Sequence, residues 1–89
     1  MSEIPIDEES KAVALEMKEN VEKKINKKFS TFEPICYKSR IMGGKIFLIK
    51  IKVDNDSYIH IKVHRLPTNS GQKVLIYVQE NKTLNDNLE

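Results

Sequence analysis

Across 89 residues the chain has no tryptophan, a single cysteine, three glycines, three prolines and no long apolar run. One cysteine, Cys36, cannot close an intramolecular disulfide, and a small secreted domain of this size ordinarily carries several bridges. No stretch approaches the roughly 20 apolar residues that a membrane-spanning helix needs. The opening Met1-Ser2-Glu3-Ile4-Pro5-Ile6-Asp7 is acidic and lacks the basic start and apolar centre of a secretory signal. The expected location is cytoplasmic, with no membrane partner. Charge of one sign is missing too: 15 basic residues against 13 acidic ones leave a formal +2, too balanced for the sustained basic field that nucleic acid requires. There is no glycine-rich phosphate loop, no paired metal motif and no nucleophile elbow. No metal, cofactor or nucleic-acid partner is therefore expected.

What is present, 39% hydrophobic and 31% charged residues, suits one domain with one modest core over residues 1–89. Residues 1–6 read as a flexible N-terminal segment. From Asp7 to Lys28 the apolar residues Val13, Met17, Val21 and Ile25 recur at every fourth position, with Ala14 beside them. That spacing predicts a helix with one apolar stripe. Asp7, Glu8 and Glu9 lie at its start and Lys23, Lys24, Lys27 and Lys28 at its end, the order the helix dipole favours, with Asp7 as N-cap.

Pro34 punctuates the chain after Phe29 and Phe32, and the period then changes to two. Ile35 to Met42 reads as a strand, Gly43-Gly44 as a tight turn, and Lys45 to Val53 as the partner strand with Phe47, Ile49, Ile51 and Val53 on one face. Asp54-Asn55-Asp56-Ser57 is a second turn. Ile59, Ile61 and Val63 alternate with Tyr58, His60, Lys62 and His64 in a third strand, Leu66 to Gly71 forms a loop, and Val74 to Gln79 is the last strand. The tail from Glu80 to Glu89 is polar, with little to bury. One amphipathic helix followed by four strands is an α+β pattern, solved by laying the apolar face of an antiparallel sheet along the helix stripe.

Few residues suggest chemistry. Cys36 with His60 or His64 could be a thiol and its base, but a cysteine within a strand reads first as a small half-buried side chain. His60 and His64 share a face four residues apart, roughly 13 Å at 3.3 Å per residue, too far to share a metal; they read as surface histidines. Lys50, Lys52 and Lys62 read as a solvated face. The unusual feature is apolar residues at turns: Ile41-Met42 before Gly43-Gly44, Leu66-Pro67 opening the next loop, and Ile4-Pro5-Ile6 before the helix. Apolar tips invite a binding role.

At these residues the sequence resembles the type 1 cystatins, the stefins. Tyr37-Lys38-Ser39-Arg40-Ile41-Met42-Gly43-Gly44 is similar to the segment leading into that family's Gln-x-Val-x-Gly hairpin. Phe47-Leu48-Ile49-Lys50-Ile51 and Tyr58-Ile59-His60-Ile61-Lys62-Val63 resemble its next two strands, Leu66-Pro67 its second hairpin loop, and Gln79 to Leu88 its tail. The resemblance runs from about Asp7 to Leu88. It implies a cystatin-like fold, one long N-terminal helix packed across a four-stranded antiparallel sheet. It also implies a non-enzymatic protein that inhibits papain-like cysteine proteases, of the cathepsin L, B or H or papain type, reversibly and competitively. The residues it assigns to an apolar wedge entering the protease cleft are Ile4, Pro5, Ile6, Arg40, Ile41, Met42, Gly43, Gly44, Leu66 and Pro67. A monomer is the implied working state, with a domain-swapped dimer possible through the first hairpin.

The chain departs from the family at three places: Arg40 stands where the hairpin has glutamine, Met42 replaces the central valine, and no glycine lies near Ile4-Pro5-Ile6. These departures keep open an alternative, a protein-binding module on the same fold that does not inhibit.

Overall fold

The computed structural model describes residues 3–88. In it Asp7 caps helix α1 (Glu8–Ile25) through a reciprocal pair: its carboxylate accepts the Ser10 amide at 2.8 Å, and the Asp7 amide donates to the Ser10 hydroxyl at 3.1 Å. The same carboxylate accepts the Tyr37 hydroxyl at 2.6 Å, tying the helix start to the sheet. Hydrogen bonds from Ser10 and then Tyr37 hold the Asp7 pKa down to about 2. The charge pattern suggested a helix running to Lys28, but Asn26 turns left-handed at φ 56 and its amide returns to the Glu22 and Lys23 carbonyls. Asparagine tolerates that conformation, so the helix stops at Ile25.

The strands are β1 (Ile4–Pro5), β2 (Phe32–Ile41), β3 (Lys45–Val53), β4 (Ser57–Arg65) and β5 (Lys73–Lys82), antiparallel and adjacent in chain order. The one helix and antiparallel sheet are as expected, but there are five strands among the described residues rather than four. The addition is β1, in which Ile4 pairs with Tyr37 and Pro5 with Cys36. Two residues carry no periodicity, and a proline belongs on an edge strand because it cannot donate to a second neighbour. The expected flexible segment 1–6 falls partly on Met1 and Ser2, which with Glu89 lie outside the described residues. Pro34 is buried where the β2–β3 register shifts, as expected for a residue that removes a ladder donor.

The inner face of β3 and β4, Phe47, Ile49, Ile51, Val53, Ile59, Ile61 and Val63, closes on the helix stripe of Val13, Ala14, Met17 and Val21. Ile25, Phe29, Phe32, Leu75 and Val78 seal its margins. The outer face differs from the solvated surface that the alternation suggested. Lys50 and His60 are each only 1% exposed, because the tail after β5 folds back across them. A Thr83–Asp86 turn starts this return, with the Thr83 amide donating to the Asp86 carboxylate at 2.7 Å. The Lys50 ammonium then donates to the carbonyls of Leu84 at 2.5 Å and Asp86 at 2.7 Å. Lys38 donates to the Leu88 carbonyl at 3.2 Å, and the Leu88 side chain is buried. The tail therefore does have something to bury, and its carbonyls act as ligands for lysine.

His60 lies under this cover with neither ring nitrogen hydrogen-bonded among the described residues. Burial pushes its pKa down to about 4, helped by the charges of Lys50 and Lys82 and opposed by Asp86 and Glu3. The unfolded imidazole takes up its proton near 6.5, so the unfolded chain binds more protons as the pH falls from there toward 4. Stability should be full above about 6.5 and decline over that window by up to about 3 kcal/mol. Urea titrations at pH 7 and 4.5 should record the loss, and His60→Leu should flatten it; an unchanged slope in that variant would place the titration elsewhere. Asp7 contributes only at lower pH, where its own stabilisation is lost as the carboxylate is protonated. For the core, Ile61→Ala, at a fully buried position, should cost about 2–5 kcal/mol. Ile76→Ala, on a residue 41% exposed, should cost less than about 1 kcal/mol by the same titration.

Candidate functional site

The β2–β3 turn is built by its glycines. Gly43 adopts φ 53 and Gly44 φ 108, and the Met42 amide donates to the Gly44 carbonyl at 3.0 Å. At Gly43 only the dihedral matters, since a Cβ there would meet open space. At Gly44 a Cβ would overlap the Arg65 carbonyl oxygen and stand 3.1 Å from the Pro67 nitrogen. The first turn thus rests backbone to backbone against the start of the β4–β5 loop. That loop is closed by the Leu66 amide on the Gln72 carbonyl at 2.8 Å and the Gly71 amide on the Thr68 carbonyl at 3.0 Å.

Two side chains reinforce the contact. His64 Nε2 donates to the Gly43 carbonyl at 2.6 Å, fastening the first turn to β4. From the first turn of α1, the Glu9 carboxylate accepts Lys45 at 2.7 Å and Arg65 at 2.9 Å. One helix residue therefore ties together the strand that leaves the first turn and the strand that enters the second loop. The Lys45 hydrogen bond, joined by Arg65, keeps the Glu9 pKa below the ordinary carboxylate value against its partial burial.

These connections hold out an apolar edge. Ile41 is 81% exposed and Met42 56% exposed; Arg40 and Pro67 are also exposed, while Gly44 and Leu66 are half-buried. Ile4 is exposed beside β2, opposite Tyr37. Ile4 stands three residues from Arg40 along β2, roughly 10 Å. Of the residues singled out by sequence, Ile4, Pro5, Arg40 to Gly44, Leu66 and Pro67 face this end of the sheet or its N-terminal margin. Ile6 instead packs against the core, with its amide on the Ile35 carbonyl at 3.2 Å.

The thiol–imidazole pairing is not made. Cys36 pairs with Lys50, which pairs with His60, leaving two strand spacings, roughly 10 Å, between thiol and ring. Burial, then the hydrogen bond and charge of Glu3, push the Cys36 pKa up to about 11, so the sulfur is a neutral thiol at physiological pH. Among the described residues no three His, Cys, Asp or Glu side chains gather to hold a metal, and no helix is long and apolar enough to cross a membrane.

Glu9 and His64 were not singled out for this role by the sequence. Glu9 read as one of three acids at a helix start, and its pairing with Lys45 and Arg65 spans 36 and 56 positions. Only the fold brings those partners together.

No family model matches the chain. Cystatin-B of Bos taurus is 38% identical over 85 residues, covering 94% of this chain and 87% of its own length. Stefin-C of Bos taurus is 37% identical over 81 residues, 90% of this chain and 80% of its own. Leukocyte cysteine proteinase inhibitor 1 of Sus scrofa is 35% identical over 85 residues, 94% of this chain and 82% of its own.

If Glu9 preorganises the edge, Glu9→Ala should leave the far-UV spectrum intact while the Met42 and Leu66 amides exchange with solvent about tenfold faster. Protection unchanged at both amides would show that the Gly44 contact and the His64 hydrogen bond hold the two turns together without Glu9.

Proposed function

This chain belongs to the type 1 cystatins, the stefins, and we propose that it is a reversible, competitive inhibitor of papain-like cysteine proteases of the cathepsin or papain type. The observation that carries the reading is the exposed apolar tip, Ile41 and Met42, held out on a turn whose glycine is pressed against the neighbouring loop. The name of one relative, Leukocyte cysteine proteinase inhibitor 1 of Sus scrofa, supports it.

The proposed wedge has three parts: Ile4 and Pro5 with Ile6 behind them, the first turn from Arg40 to Gly44, and Leu66-Pro67. It enters the protease cleft and blocks substrate without laying an extended peptide bond on the catalytic thiolate. Fully burying a side chain such as Ile41 or Met42 contributes about 1.5–3 kcal/mol. Because the turn is already fixed, little of that is offset by ordering. Arg40 carries a cation to the margin of the cleft, where it meets the thiolate and imidazolium of the target and tunes selectivity through charge. The protein works in the cytoplasm as a monomer, since a swap through the Gly43-Gly44 turn would straighten the tip.

A second reading, a binding module without inhibitory action, is favoured by Arg40, Met42 and the absence of glycine near Ile4. Titration against papain and a cathepsin L-like enzyme with a fluorogenic peptide separates the two. Competitive inhibition at nanomolar to low micromolar concentration is expected; a folded monomer that does not inhibit would give the binding module first place. Gly44→Val should keep the far-UV spectrum and weaken inhibition at least about tenfold, because its Cβ would force the Arg65 carbonyl and the second loop away. An unchanged inhibition constant would overturn the role of this turn.

A further inference from the structure

Both ends of the described chain meet at one buried ammonium. Lys50 lies at the centre of the outer face, 1% exposed. Its three N–H donors have three acceptors in reach: the Leu84 carbonyl at 2.5 Å, the Asp86 carbonyl at 2.7 Å and the Glu3 carboxylate at 3.5 Å. The other Glu3 oxygen accepts the Leu88 amide at 3.2 Å, and the first also accepts the Cys36 thiol at 3.3 Å. Glu3 immediately precedes Ile4 and Pro5, whose ladder with β2 is two residues long and is followed by the single Ile6–Ile35 hydrogen bond. A strand of two residues is marginal by itself.

We propose that Lys50, acting through Glu3 and the returning tail, is a clasp that fixes the N-terminal strand at the edge of β2 and so positions Ile4 and Pro5 for the protease. Lys50 is thus a positioning residue, buried on the outer face and joined to the segment before Ile4 by its charge. A lysine in this place also differs from a surface one in consequence. Removing Glu3 leaves a buried charge short of an acceptor, and removing Lys50 leaves the acceptors around it without their donor. The tail and the N-terminal strand should therefore loosen together. This inference rests on the protease reading for its functional half and on geometry alone for its structural half.

The two halves are tested apart. In amide exchange on the full chain, Lys50→Met should speed the Ile6 amide about tenfold while Ile49 and Ile61 stay protected. Glu3→Ala, at a side chain 27% exposed, removes the carboxylate while Lys50 keeps its two tail carbonyls, and should act likewise. Unchanged Ile6 exchange in the folded Glu3→Ala chain would overturn the clasp whatever the protease assay gives. In that assay Lys50→Met should weaken inhibition about tenfold, mainly by faster dissociation, and Ile4→Ala should weaken it in the wild-type background but hardly further in Lys50→Met. Additive losses would overturn the positioning role. A wild-type chain that does not inhibit, with Ile6 exchange still accelerated in Glu3→Ala, would overturn the protease reading and uphold the clasp.

Discussion

The close approach of the Gly44 backbone to the Arg65 carbonyl sets the distance between the two turns. No side chain can make a contact that short, because any Cβ would enlarge the gap and any longer group would bring conformational freedom with it. Once the two backbones touch, the remaining fastenings fall into place. His64 reaches the Gly43 carbonyl from one face of the sheet. Glu9 reaches Lys45 and Arg65 from the helix on the other. The apolar tip can then stand exposed at Ile41 and Met42 without collapsing onto the domain.

The sheet divides its labour between faces. The inner face is generic: branched aliphatic side chains against a helix stripe, where shape and volume govern and many substitutions of equal size would serve. The outer face is specific, with a lysine and a histidine buried under a segment of irregular backbone and a half-buried thiol beside them. Buried polar groups are costly unless paired, and here Lys50 finds carbonyls and a carboxylate while His60 remains neutral at physiological pH. The inner face supplies most of the cohesion. The outer one decides where the chain ends lie.

Much of this was legible from residue order. The fourfold spacing of Val13, Met17, Val21 and Ile25 revealed the helix, and strict alternation revealed the strands that pair as β3 and β4. The glycine pair marked the turn, and apolar residues beside turns marked the candidate edge. What remained hidden shares one cause. Alternation says which side chains share a face, and the one cover it offers the sheet is the helix, which implies a wet opposite face. Lys50 and His60 are dry because backbone carbonyls of a polar tail pass over them, and a carbonyl leaves no trace in residue type. β1 escaped notice because pairing of two residues depends on a neighbour more than 30 positions away. The early end of the helix at Asn26 could have been read, as asparagine is among the residues most willing to turn left-handed.

Cys36 lies between the edge strand and Lys50, and its surroundings have a chemical consequence of their own. With a pKa near 11, only about one molecule in ten thousand carries the thiolate at pH 7. Exchange with disulfides and attack on alkylating agents both proceed through the thiolate, so this sulfur is a slow reactant under oxidising conditions. A protein whose proposed targets depend on an activated thiolate carries a single thiol of its own held in the opposite state. It should form mixed disulfides with glutathione only slowly.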